Sequence, residues 1–85
     1  MIEERIEDYQ EWFKAIQQTS RVLKTLKPNG NIHVRNLLVD YLNELQSDRE
    51  SLQRCLKHDL IRDNLSKKNR RILEKLAFEI DMFQI

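Results

Sequence analysis

Apolar side chains recur at alternating steps of four and three along the first part of the chain. Ile2, Ile6, Tyr9, Phe13, Ile16 and Leu23 fall on one line, with Ser20 as its polar member. That spacing is the seam of an amphipathic helix packed against a neighbour, and it predicts a first helix over about residues 2–26. Trp12, Ala15, Val22 and Leu26 fall to one side of the seam, so the apolar arc is wider than one neighbouring helix covers. Glu3, Glu4, Glu7 and Asp8 crowd the first turns, and Arg21, Lys24 and Lys27 stand near the end. Each sign sits where the helix dipole favours it.

Lys27-Pro28-Asn29-Gly30-Asn31 is the single strong break, and it holds the only proline and the only glycine of the chain. Proline ends the helix, Asn-Gly turns the chain, and Asn31 is placed to cap a second helix. Val34, Leu37, Leu38, Tyr41, Leu42, Leu45, Leu52, Cys55, Leu56 and Leu60 then share one face, which predicts that helix over about residues 32–61. Asp48 and Arg49 interrupt the face, and Ser47 with Glu50 spells a capping box. The helix is therefore either continuous or kinked near residue 47. After a link at Arg62-Asp63-Asn64, the seam Leu65, Asn69, Ile72/Leu73, Leu76, Ile80 and Phe83 predicts a third helix over about residues 65–82, capped by Asn64 or Ser66.

Short links make successive helices antiparallel. The expected fold is all-α: one domain over residues 1–85, a small antiparallel three-helix bundle in which a long helical hairpin carries a third helix. The second helix is longer than either neighbour, at ~45 Å for 1.5 Å per residue. An overhanging end and the wide arc of the first helix would leave apolar surface for a second copy or a partner helix to complete.

Composition narrows the class. At 40% hydrophobic and 34% charged residues, the chain is too apolar for a disordered segment and too charged for a membrane span. Its acidic beginning does not read as a signal or transit peptide, so the expected location is cytoplasmic. Cys55 is the only cysteine, which excludes an internal disulfide. The formal net charge of +1 makes no whole-chain case for nucleic acid.

Candidate chemistry is sparse. Cys55 and His58 are one helical turn apart, but a structural zinc site needs four ligands, and His33 is far away along the same helix. No Gly-flanked serine, Cys-His-Asn arrangement, Glu-x-x-His pair or phosphate loop occurs. No catalytic residue, metal ligand, cofactor site or small-molecule substrate is therefore assigned. The basic segment at the start of the third helix breaks local rules. Lys67, Lys68, Arg71 and Lys75 fall on one arc, as like-charge neighbours at a helix end that prefers acids. Either the arc meets an anion, nucleic acid or acidic partner, or it faces the acidic start of the first helix and sets the order of packing. At the other end, Glu79 and Asp81 would arrive beside the basic stretch 21–35 in the same way. The stretch Leu65–Ala77 resembles the first helix of a helix-turn-helix, but only eight residues remain where a recognition helix should stand, so no family is assigned.

The function expected from these residues is a non-catalytic protein–protein interaction module: a small adaptor, regulator or assembly subunit acting through helix–helix packing. Its partner would be another protein or a second copy. Tyr9, Trp12 and Phe13 are its candidate anchors, because large aromatics dominate interface energies. The alternative is a small nucleic-acid-associated protein that uses the basic arc of Lys67, Lys68, Arg71 and Lys75.

Overall fold

The computed structural model describes residues 1–62 and 64–85. Asp63, in the link expected between the second and third helices, lies outside them. Three helices pack against one another: α1 (Ile2–Thr25), α2 (Ile32–Leu60) and α3 (Lys67–Met82). The fold is an all-α three-helix bundle.

Cross-helix contacts give the direction of each helix. Tyr9 near the start of α1 meets Asp59 at the end of α2, so these two run antiparallel. Gln53 of α2 bonds Asp81 of α3, and Leu60 bonds Arg70, so α2 and α3 are antiparallel as well. Asn69 reaches Glu3, and Phe13 meets Phe83 edge to face at 5.7 Å, so α3 runs parallel to α1.

The ends obey local chemistry. Asn31 accepts hydrogen bonds from the backbone N–H groups of His33 and Val34, as the cap expected for the second helix. Asn29 and Gly30 before it take φ of +51° and +81°, a left-handed turn that asparagine and glycine tolerate best. Of the two caps open for the third helix, Ser66 serves: its Oγ accepts from the Asn69 N–H at 3.1 Å. The helix accordingly begins at Lys67 rather than at Leu65.

No break occurs near residue 47, and α2 is one element of 29 residues. Leu45 and Leu52 are a heptad apart and both buried, so the seam passes over the polar slot between them. Asp48 points to solvent. Arg49 is half-buried, and its guanidinium donates to the Phe83 carbonyl just past the end of α3. Ser47 does not cap a new helix; its carbonyl accepts from the Ser51 hydroxyl one turn on.

The core is one line per helix: Ile6, Tyr9, Phe13, Ile16 and Leu23; Leu45, Leu52 and Leu56; Leu73, Leu76 and Ile80. Ser20 is buried in the α1 seam and its hydroxyl has no hydrogen-bond partner among the described residues.

The apolar face expected along all of α2 is covered only in part. At 1.5 Å per residue, α2 is about 43 Å long and α3 about 24 Å. Packed from the Leu60 end, α3 reaches no further than Arg49 and leaves the first half of α2 without a third helix. Val34, Leu37 and Tyr41 are therefore 41%, 53% and 50% exposed, and Leu38 and Leu42 are half-buried. Val22 and Leu26, beside the α1 seam, stand out at the same end, at 61% and 48%. Cys55 is also exposed, lying to one side of the line through Leu52 and Leu56. The result is an elongated molecule of 53 × 20 × 17 Å.

Candidate interaction surfaces

Two regions stand out: a buried polar cluster where all three helices meet, and the uncovered end of the α1–α2 hairpin.

The cluster centres on Asp59, whose side chain is wholly buried in the last turn of α2. One carboxylate oxygen, Oδ2, accepts the hydroxyl of Tyr9. The other, Oδ1, lies 2.7 Å from Arg5 Nη2 and 3.2 Å from Arg62 Nε. A lone buried carboxylate would be costly; paired and hydrogen-bonded in this way it is tolerated. Arg5 and Tyr9 are one turn apart on α1 and so reach Asp59 together. The Tyr9 phenol is pushed above its ordinary pKa, first by burial and then by the hydrogen bond it donates to Asp59. Arg70 of α3 extends the arrangement by donating to the Leu60 and Arg62 carbonyls at 2.8 and 3.0 Å, which satisfies the end of α2. The seam spacing that runs through Leu52 and Leu56 leads next to Asp59, and a carboxylate in that slot was the signal the sequence held.

The candidate anchors separate. Tyr9 and Phe13 are core residues, 7% and 5% exposed, and leave no face for a partner. Tyr9 spends its hydroxyl on Asp59 and Phe13 spends its ring on Phe83. Trp12 is half-buried against the core, which leaves only its outer edge for contact. For Tyr9 and Phe13 the expectation is corrected: they hold α1 to α2 and α3, because a seam position is the one a neighbouring helix covers.

The basic arc lies where expected on the outside of α3, with Lys67, Lys68, Arg71 and Lys75 all exposed. Among the described residues, none of the four has an acidic partner within ion-pair distance. The acidic start of α1 is tied to α3 differently, by the Asn69 amide donating to Glu3 Oε1 at 3.4 Å. The Glu3 carboxyl is held below its ordinary pKa by its own backbone N–H first and by Asn69 next; the charge of Lys68 is the weakest contribution. At the opposite end, Asp81 accepts from Gln53 and Lys24 donates to the Gln84 carbonyl, in place of the expected pairing of acids with the 21–35 stretch.

At the hairpin end, Thr19 and Leu23 of α1 face Tyr41, Glu44, Leu45 and Asp48 of α2 across an open groove of about 630 Å³. Its walls are mixed: leucine and tyrosine surfaces with two carboxylates on the α2 side. Leu26, Leu37 and Val34, nearer the turn in sequence, are exposed as well. Among the described residues, no three histidine, cysteine, aspartate or glutamate side chains converge as metal ligands. No described helix is long and apolar enough to cross a membrane. Comparison of the chain with protein-family models, with curated proteins and with solved structures gives no match.

Proposed function

We propose that the protein is a non-catalytic interaction module that binds a partner by helix–helix packing at the end of its α1–α2 hairpin. The observation that carries this reading is the mismatch in helix length. The first half of α2 keeps an amphipathic pattern suited to burial, yet Val34, Leu37 and Tyr41 stand open beside Val22 and Leu26. Large exposed apolar patches mark interaction sites, and these side chains gather at one end of the hairpin. An open surface between two helices is where a partner's amphipathic helix can lie.

The exposed cations of α3 support a second reading, in which Lys67, Lys68, Arg71 and Lys75 meet an anionic partner such as nucleic acid.

A photo-crosslinking side chain placed at Leu37, with a control at the exposed polar position Lys14, tests the first reading in cells that express the protein. A covalent adduct from position 37 and none from position 14 is expected. Absence of an adduct at position 37 would refute the assignment of this face.

A further inference from the structure

We infer that the occupant of the hairpin end is the hairpin end of a second copy, overlapped antiparallel so that α1, α2 and their two counterparts form a four-helix bundle. This rests on the reading of that end as an interface. It adds the identity of the partner and the direction in which it lies.

Exposed area points to a missing neighbour. The chain exposes 6467 Å². A compact folded chain of its 10.3 kDa mass exposes about 5,400 Å². The excess, on the order of 1,000 Å², exceeds the ~800 Å² that each partner contributes to an ordinary stable interface. The radius of gyration agrees: 15.6 Å, where a compact chain of this length has about 12 Å. Part of the exposed surface lies where α3 is missing, since every residue from Asn31 to Leu37 is exposed.

Charge selects the occupant. From Arg21 to Arg35 the tip carries Arg21, Lys24, Lys27 and Arg35 and no acid. The next turns of α2 carry Asp40, Glu44, Asp48 and Glu50 against the single cation Arg49. The groove behind the tip is therefore apolar with carboxylates, Glu44 and Asp48, on its wall. It fits an apolar segment that brings cations, and the tip of the same chain is such a segment: Val22, Leu26 and Leu37 accompanied by Lys27 and Arg35.

A two-fold axis crossing α2 between Leu37 and Leu38 satisfies both surfaces at once. It sets Leu37 against the partner's Leu38 and Val34 against the partner's Tyr41. Each basic tip then lies over the acidic stretch of the other copy, a self-complementary arrangement of the kind two-fold dimers require. A parallel overlap would set tip on tip and acid on acid, which like charges oppose.

The test uses the purified chain and two charge-reversed variants at positions that are exposed in the single copy. In E44K/D48K the two groove carboxylates become cations, and in K27E/R35E the two tip cations that face the groove become carboxylates. Sedimentation equilibrium should show a dimer for the wild type. Each variant should remain helical by circular dichroism but dimerise roughly a hundred-fold more weakly. An equimolar mixture of the two variants should recover the dimer, because positions 27 and 35 of each copy then meet positions 44 and 48 of opposite sign in the other. A wild-type chain that stays monomeric at all concentrations overturns the inference, as does a dimer that E44K/D48K leaves unchanged or a mixture that does not reassociate. The interface reading fails separately, by the absence of any adduct from position 37. An adduct there with the mass of a foreign chain, together with a monomeric wild type, would preserve that reading and overturn only the second copy as occupant.

Discussion

Tyr9 donates its hydroxyl to the buried carboxylate of Asp59, fifty residues away in sequence, and so fastens the start of α1 to the end of α2. Arg5 and Arg62 hold the other oxygen of the same carboxylate. The joint lies at the end of the bundle where all three helices are present. The opposite end, where α3 is absent, has no comparable arrangement among the described residues.

Replacing Asp59 by alanine should destabilise the chain by about 1–3 kcal/mol, measured by urea unfolding. The Tyr9 hydroxyl would be left buried without an acceptor. The loss stays below the larger figure of roughly 3–5 kcal/mol for breaking a fully buried ion pair. The reason is that Arg5 and Arg62 are 41% and 44% exposed and can return to water. A change of less than a few tenths of a kcal/mol would show that the cluster does not hold the helices together.

The same bond gives a pH signature. The folded chain holds the Tyr9 phenol above its ordinary pKa of 10.0, through burial first and Asp59 second. Above pH 10 the unfolded chain therefore releases this proton before the folded one does, and stability falls as pH rises. Below that pH the contribution is fully present. Tyr9→Phe removes the titrating group, so the stability difference between wild type and variant should shrink as pH is raised from 9 to 11. A difference that stays constant over this range would contradict the assignment. Lysine titration is common to both chains and cancels.

The basic arc offers a contrast. Lys68→Gln with Arg71→Gln should leave the melting temperature nearly unchanged or slightly raised. Among the described residues neither side chain has an ion-pair partner, and the change relieves like-charge repulsion worth a few tenths of a kcal/mol. Dimerisation through the hairpin end should be unaffected. If the arc contacts phosphates, the variant should instead lose salt-dependent binding to a generic duplex, and the slope of log K against log salt should fall by about one unit per contact removed. A marked drop in melting temperature would mean that the cations are structural after all.

Local pattern along the chain is enough to define the elements of this protein. Three helices, the Pro28–Asn31 break and the Asn31 cap arise from local angular periodicity and short-range chemistry, and these need no knowledge of the rest of the chain. The seam lines along α1 and α3 were legible for the same reason. Which apolar residues are covered depends instead on how the helices pack. Tyr9 and Val34 both lie on apolar seams. One is buried because α2 and α3 flank it, and the other is open because α3 ends before reaching it. Periodicity gives the direction in which a side chain points but not whether a neighbour stands there, since that depends on the relative lengths and offsets of helices far apart in sequence. Asp59 obeys the same rule in reverse. Its carboxylate is a fault at the end of a leucine seam until α1 brings Arg5 and Tyr9 to it, and burial of a charge depends on such distant partners.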